Sequence, residues 1–137
     1  MPAVVDEQTA KARIKLLLPL PPKELSPNAR PHYYSKAQAV QKYRIEVYVC
    51  ACQSTPDRRT LLNTKVRMTE TYRIAGKRKR DVRNLFAAFK AGEDGLVDAG
   101  ILPGDDDSVL EHGAPKIERV ASKKDEGVLV MIEELAL

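Results

Sequence analysis

Apolar and polar positions change rhythm several times along the chain. Residues 12 to 20, ARIKLLLPL, are leucine-rich with one β-branched position and run into Pro19, Pro21 and Pro22, which cannot donate to a sheet ladder. The pattern predicts a first strand over about 11 to 18. The following PPKELSPNARPHYY sets Ser26, Asn28, Arg30 and His32 among four prolines and reads as an ordered loop with projecting polar side chains. Ser35 is placed to cap a helix, because its hydroxyl can accept from a free first-turn amide; Val40, Tyr43, Val47 and Ala51 then recur at helical spacing to about Ser54.

From Thr64 to Ile74, Val66, Met68 and Thr71-Tyr72 alternate with charged neighbours, which predicts a second strand with residues 75 to 80 as its exit loop. Asp81 stands where an N-cap belongs, and Val82, Leu85, Phe86, Phe89, Leu96 and Val97 mark one face of a helix reaching about Ala99, weakened in its middle by Gly92 and Gly95. ILPGDDDSV, 101 to 109, reads as a turn, and strands around Ala114 to Ala121 and Gly127 to Glu133 are expected to close the chain as an antiparallel pair. The order β, α, β, α, β, β predicts an α+β fold, a small mixed β-sheet with two main helices packed on one face. Residues 1 to 10 form a flexible N-terminal segment in this reading, and 11 to 137 a single domain.

Composition narrows the class. A chain 43% hydrophobic and 31% charged suits a globular protein, and no apolar run approaches the roughly 20 residues of a membrane span. Cys50 and Cys52 on a helix would point apart at i, i+2, so a local disulfide is not expected and a reducing cytoplasm fits best. The net charge of +4 is mild, but its distribution is not. Residues 73 to 83 carry Arg73, Lys77, Arg78, Lys79, Arg80 and Arg83 against the single acid Asp81, whereas 93 to 111 carry seven acids and no Lys or Arg. One segment favours a polyanion, the other a cation.

Asp81 and the run Asp105-Asp106-Asp107 supply the carboxylate oxygens that magnesium takes alongside waters and phosphate oxygens. Each also has a plain local role, Asp81 as a cap, the triple Asp as a solvated turn and residues 77 to 80 as a surface loop. No Ser-His-Asp set, P-loop, G-x-G-x-x-G or Cys-x-x-Cys competes.

Taken together, LPLPPKELSPNAR, the basic run into DVRNL, the DGLVDAG segment and the DDDSV turn resemble, in that order, the RusA family of Holliday-junction resolvases, over about residues 14 to 134. The resemblance implies a RusA-like α+β homodimer that binds four-way DNA junctions and resolves them by symmetric paired nicks in DNA recombination and repair. It implies an endodeoxyribonuclease using Mg2+, with Mn2+ as substitute and no small-molecule cofactor, working in the cytoplasm of a bacterial or phage-infected cell and bound to its nucleoid. Carried over by position, Asp81 and Asp106 are catalytic and hold the metal with Asp105, Asn84 and Leu85 complete the motif, and Asp107 is the alternative register. The catalytic lysine falls on Lys90 once three extra residues, about Phe86 to Ala88, are allowed before it; its spacing of four to Asp94 supports that match, and without the insertion Ala87 takes the place. Lys77, Arg78, Lys79, Arg80, Asn28 and Arg30 would contact DNA.

Arg83 departs from the family pattern, replacing the second aspartate of Asp-x-Asp-Asn-Leu. A guanidinium cannot ligate magnesium and repels it. Two readings follow: Asp105, Asp107 or Glu70 completes the ligand set with Arg83 on a phosphate, or the chain is a non-catalytic branched-DNA-binding homologue. A basic module for RNA or an acidic protein is a third; the 5% aromatic content makes it a poor platform for stacking single strands.

Overall fold

A computed structural model of the chain describes residues 13–27, 33–54 and 65–135. The elements are β1 (Arg13–Leu18), a 3-10 turn (Lys23–Leu25), α1 (Tyr33–Ser54), β2 (Val66–Ala75), α2 (Val82–Ala88), α3 (Lys90–Asp98), β3 (Leu110–His112), β4 (Lys116–Val120), a second 3-10 turn (Lys123–Asp125) and β5 (Gly127–Glu134). The five strands form one mixed sheet ordered β1-β5-β2-β3, with β4 also pairing β2.

Strict alternation makes β2 the centre. Val66, Met68, Glu70, Tyr72 and Ile74 are buried while their neighbours are half-buried, so one face of the strand meets the helices. Ile14, Leu16 and Leu18 of β1 and Val128, Val130 and Ile132 of β5 continue that face by antiparallel pairing, and all join Tyr43, Val47 and Ala51 of α1 and Leu96 of α3 in one core. The other face, with Leu17, Leu129, Met131, Thr69 and Thr71, is half-buried or exposed. An α+β fold with helices packed on one face of a mixed sheet is therefore what forms.

Several expectations change in detail. The first long helix already includes Tyr33, so Ser35 lies inside it and does not cap it; nothing in Tyr33-Tyr34 breaks a helix. The helix expected from Asp81 to Ala99 is two helices, interrupted at Phe89 rather than at a glycine. Phe89 is 1% exposed and its ring packs edge-on to Tyr43, centroids 6.3 Å apart, so burying this ring outranks helix continuity. The glycines serve packing instead: a Cβ on Gly92 would sit 2.7 Å from the Phe89 ring, and one on Gly95 2.6 Å from the Arg44 carbonyl oxygen.

The two C-terminal strands are not a pair. β4 runs parallel to β2 and β5 antiparallel to it, on opposite sides, and residues 121 to 126 cross the end of β2 between them. The crossing holds because Glu126 Oε2 accepts from the Ala75 amide at 2.8 Å. A short strand, β3, appears just after the turn and pairs the first half of β2 in parallel, Met68 opposite His112. Cys50 and Cys52 are free and half-buried. Among the described residues no helix is long and apolar enough to cross a membrane.

The α1–α3 contact yields a stability prediction. Gly95→Ala forces a methyl against the Arg44 carbonyl and the Val47 side chain 3.1 Å away, so a net loss of about 2 kcal/mol is expected in denaturant titration despite alanine's better helix propensity. A midpoint equal to or above that of the wild type would show that the helices can part at no cost.

Candidate functional site

The basic loop is shaped from both ends. Gly76 leaves β2 with φ +84, a left-handed conformation suited to glycine, and residues 77 to 80 are all exposed. Arg119 of β4 donates to the Gly76 carbonyl at 3.3 Å and the Arg78 carbonyl at 2.9 Å, which spends this cation on holding backbone and leaves Arg78, Lys79 and Arg80 on a cleft of about 370 Å³. Pro21, Pro22, Lys23 and Ser26 form its far wall, and Asp81 and Asn84 its floor. Asp81 caps α2: its Oδ1 accepts from the Arg83 amide at 2.8 Å. Asn28 and Arg30, expected to contact DNA, lie outside the described residues.

A second cleft, of about 430 Å³, lies between β2, β3 and the α2–α3 corner and is lined by Glu70, Phe86, Ala87, Phe89, Lys90, Glu93, Asp105 and His112. Here Lys90 Nζ meets Asp105 Oδ2 at 2.8 Å, Glu93 Oε2 at 3.1 Å and Asp94 Oδ1 at 3.3 Å. Burial pulls this ammonium toward losing its proton, but its bonds to Asp105 and Glu93 outweigh that and raise its proton affinity. In return, the hydrogen bond from Lys90 holds the Asp105 carboxyl below the usual range. The other oxygen of Glu93, Oε1, sits 2.7 Å from His112 Nε2.

Behind this pair Glu70 is 2% exposed in an apolar wall and accepts from the Tyr72 hydroxyl. Burial pushes its carboxyl up to about 7, against the opposing pull of the Tyr72 bond and of His112. A buried acid titrating near neutrality inside a cleft that also gathers a lysine, a histidine and two more carboxylates marks a site rather than a solvated surface.

A smaller pocket, which Lys36 of α1 also lines, shares Ala88 with the first cleft and Ala87 and Lys90 with the second, so all three flank the same stretch of α2 and the start of α3. The sequence-derived candidates are divided between the clefts: Asp81 with Arg78 to Arg80 on the first, Lys90 with Asp105 on the second. Asp106 turns onto Ser108, whose amide donates at 2.8 Å and whose hydroxyl also donates; these bonds lower its pKa. Among the described residues no group of three or more His, Cys, Asp or Glu side chains is arranged to hold a metal ion.

Sequence reasoning did not single out Glu93, His112, Tyr72 or Arg119. The available signal was slight: Glu93 follows Lys90 at i+3, on the same helix face, and His112 is one of two histidines in the chain. No protein-family model matches the chain, and no curated protein matches it in sequence.

Glu70 yields a pH prediction. Its folded pKa of about 7 lies above the ordinary 4.5, so the folded state holds its proton longer than the unfolded chain does. Folding therefore loses stability as pH rises from 4.5 toward 7, and the loss levels off above that at roughly 3 kcal/mol. Glu70→Gln, which still accepts from Tyr72, is expected to raise the melting temperature clearly at pH 8 and little at pH 4.5. Equal shifts at both pH values would show that the carboxyl is ionised at no cost.

Proposed function

We propose that this protein is a magnesium-dependent, structure-selective endodeoxyribonuclease that resolves four-way DNA junctions. One observation supports the reading: Lys90 and Asp105 meet in a cleft lined by buried acids, and the α2–α3 segment that carries Lys90 also lines a second cleft with a cluster of exposed cations held in shape by Arg119. The chemistry matches phosphodiester hydrolysis, which needs a place for backbone phosphates, a fixed positive charge beside the scissile group and an activated water. Arg78, Lys79 and Arg80 seat the backbone, and Lys90 places its charge where the departing oxygen develops its own.

Asp105 is the carboxylate here whose chemistry suits magnesium. It is ionised and exposed on an open cleft, as fits an ion that takes one or two carboxylates and keeps waters and phosphate oxygens for the rest. Bound there, the ion would neutralise phosphoryl charge and acidify a water. Asp105 already accepts from the Lys90 ammonium at 2.8 Å, Asp81 caps α2 and Asp106 holds Ser108, so each would have to give up a local bond to hold the ion. Those commitments, with Arg83 in the motif, favour the second reading, a branched-DNA binder that does not cut.

A junction has approximate two-fold symmetry, so a two-fold homodimer would present two such sites to equivalent strands. The cytoplasm of a bacterial or phage-infected cell is the compartment this activity requires.

The test incubates labelled synthetic four-way junctions with the protein in magnesium, manganese or chelator. Paired symmetric nicks are expected with either metal. Lys90→Ala and Asp105→Asn should each slow nicking on the order of 100-fold while leaving binding intact. Asp81→Asn keeps the cap, because asparagine caps as well as aspartate; nicking lost in this variant and kept in Asp105→Asn would move the metal to the basic cleft. Tight binding without nicking in either metal would leave the binder reading. Lys79→Glu should weaken binding at all sequences and lower the slope of log affinity against log salt by about one.

A further inference from the structure

The Glu93–His112 pair has no part in the roles assigned so far. We propose that His112, oriented by the Glu93 carboxylate, is the base that takes the proton from the attacking water; the assignment rests on the nuclease reading above. A carboxylate accepts only, so His112 Nε2, 2.7 Å from Glu93 Oε1, is the donor and Nδ1 keeps the lone pair. Glu93 Oε2 accepts from Lys90 at 3.1 Å, so both oxygens are engaged and the carboxylate cannot swing away.

The imidazole is held on its other sides too. Phe86 packs edge-on to it, centroids 5.5 Å apart at 83°. Its backbone is fixed by pairing with Met68 and by the Gly113 amide donating to the Met68 carbonyl at 2.8 Å. Exposure then separates the two partners: the His112 side chain is 30% exposed and the Glu93 side chain 8%. A water can reach the ring, while the acid that orients it is shielded. The charged and titratable groups facing the ring are Glu93 and Lys90 from α3, Glu70 of β2 with Tyr72 beside it, and Asp105 from the turn before β3.

In the step this assigns, the water's O–H bond breaks, its proton passes to His112 Nδ1, and its oxygen bonds to phosphorus. The bond from phosphorus to one sugar oxygen breaks, and that oxygen takes a proton from a solvent water beside the Lys90 ammonium. His112 then returns its proton to solvent, and nothing is oxidised or reduced.

The experiment records single-turnover nicking of a four-way junction against pH for the wild type, His112→Ala and Glu93→Gln, with melting temperature and junction binding measured for each. The wild-type rate should rise along an acid limb as the ring gives up its proton. His112→Ala should lose that limb, slow on the order of 100-fold and recover part of its rate with added imidazole. Glu93→Gln, which keeps the side chain's volume, should bind junctions normally and slow about 10-fold or more. It serves as the deciding variant if His112→Ala melts low. Either variant nicking at the wild-type rate with the limb intact overturns the base assignment and leaves the nuclease standing; a wild type that binds junctions and never nicks them overturns both.

Discussion

Two carboxylates buried in an otherwise apolar core, Glu70 and Glu93, impose the constraint around which the rest of the molecule is arranged. A buried acid must find partners or remain protonated, and the two solve this differently. Glu70 lies on the alternating face of β2, takes one bond from Tyr72 two residues along the same face, and is pushed toward neutrality. Glu93 draws in Lys90 from its own helix and His112 from the edge strand. Satisfying Glu93 thus ties α3 to β3, and Lys90 extends the tie to Asp105 in the turn between them. The cleft is what these partners leave open.

That tie works only if α3 lies close to the rest of the core, and the helical segment after the basic loop is built for closeness rather than continuity. Phe89 drops out of the helix to bury its ring against Tyr43, whose hydroxyl in turn donates to the Pro19 carbonyl at 2.6 Å. Gly92 makes room for that ring, and Gly95 lets α3 rest on the α1 backbone. The break places Lys90 at the start of a new helix, where its side chain reaches across to the turn before β3.

Local periodicity carried much of this fold on its face. The alternation from Val66 onward and the helical spacing of Val40, Tyr43, Val47 and Ala51 reflect burial on one face, which any single element displays in its own sequence. What periodicity could not convey was partnership. β4 and β5 look like neighbours because six residues separate them, yet each gains more by pairing with β2, and Glu126 closes the crossing through a bond to Ala75. The candidate site was legible in the same partial way. Cations, Asp81, Lys90 and the acidic turn stand out by type and position, whereas the Glu93–His112 contact joins residues 19 apart through a strand too short to announce itself.

The cap also gives Arg83 a different meaning. In a RusA-like reading it sits where an acid is expected, and its charge would oppose a cation held by Asp81. Its backbone amide, however, is what Asp81 caps, and that capping bond needs no particular side chain at 83. An arginine is therefore free to stand there on local grounds, where it adds to the exposed cations at 77 to 80. Under the proposed function, positive charge beside Asp81 would favour a phosphate at that end, and the carboxylates that could hold a metal would be those near Lys90, released from its ammonium.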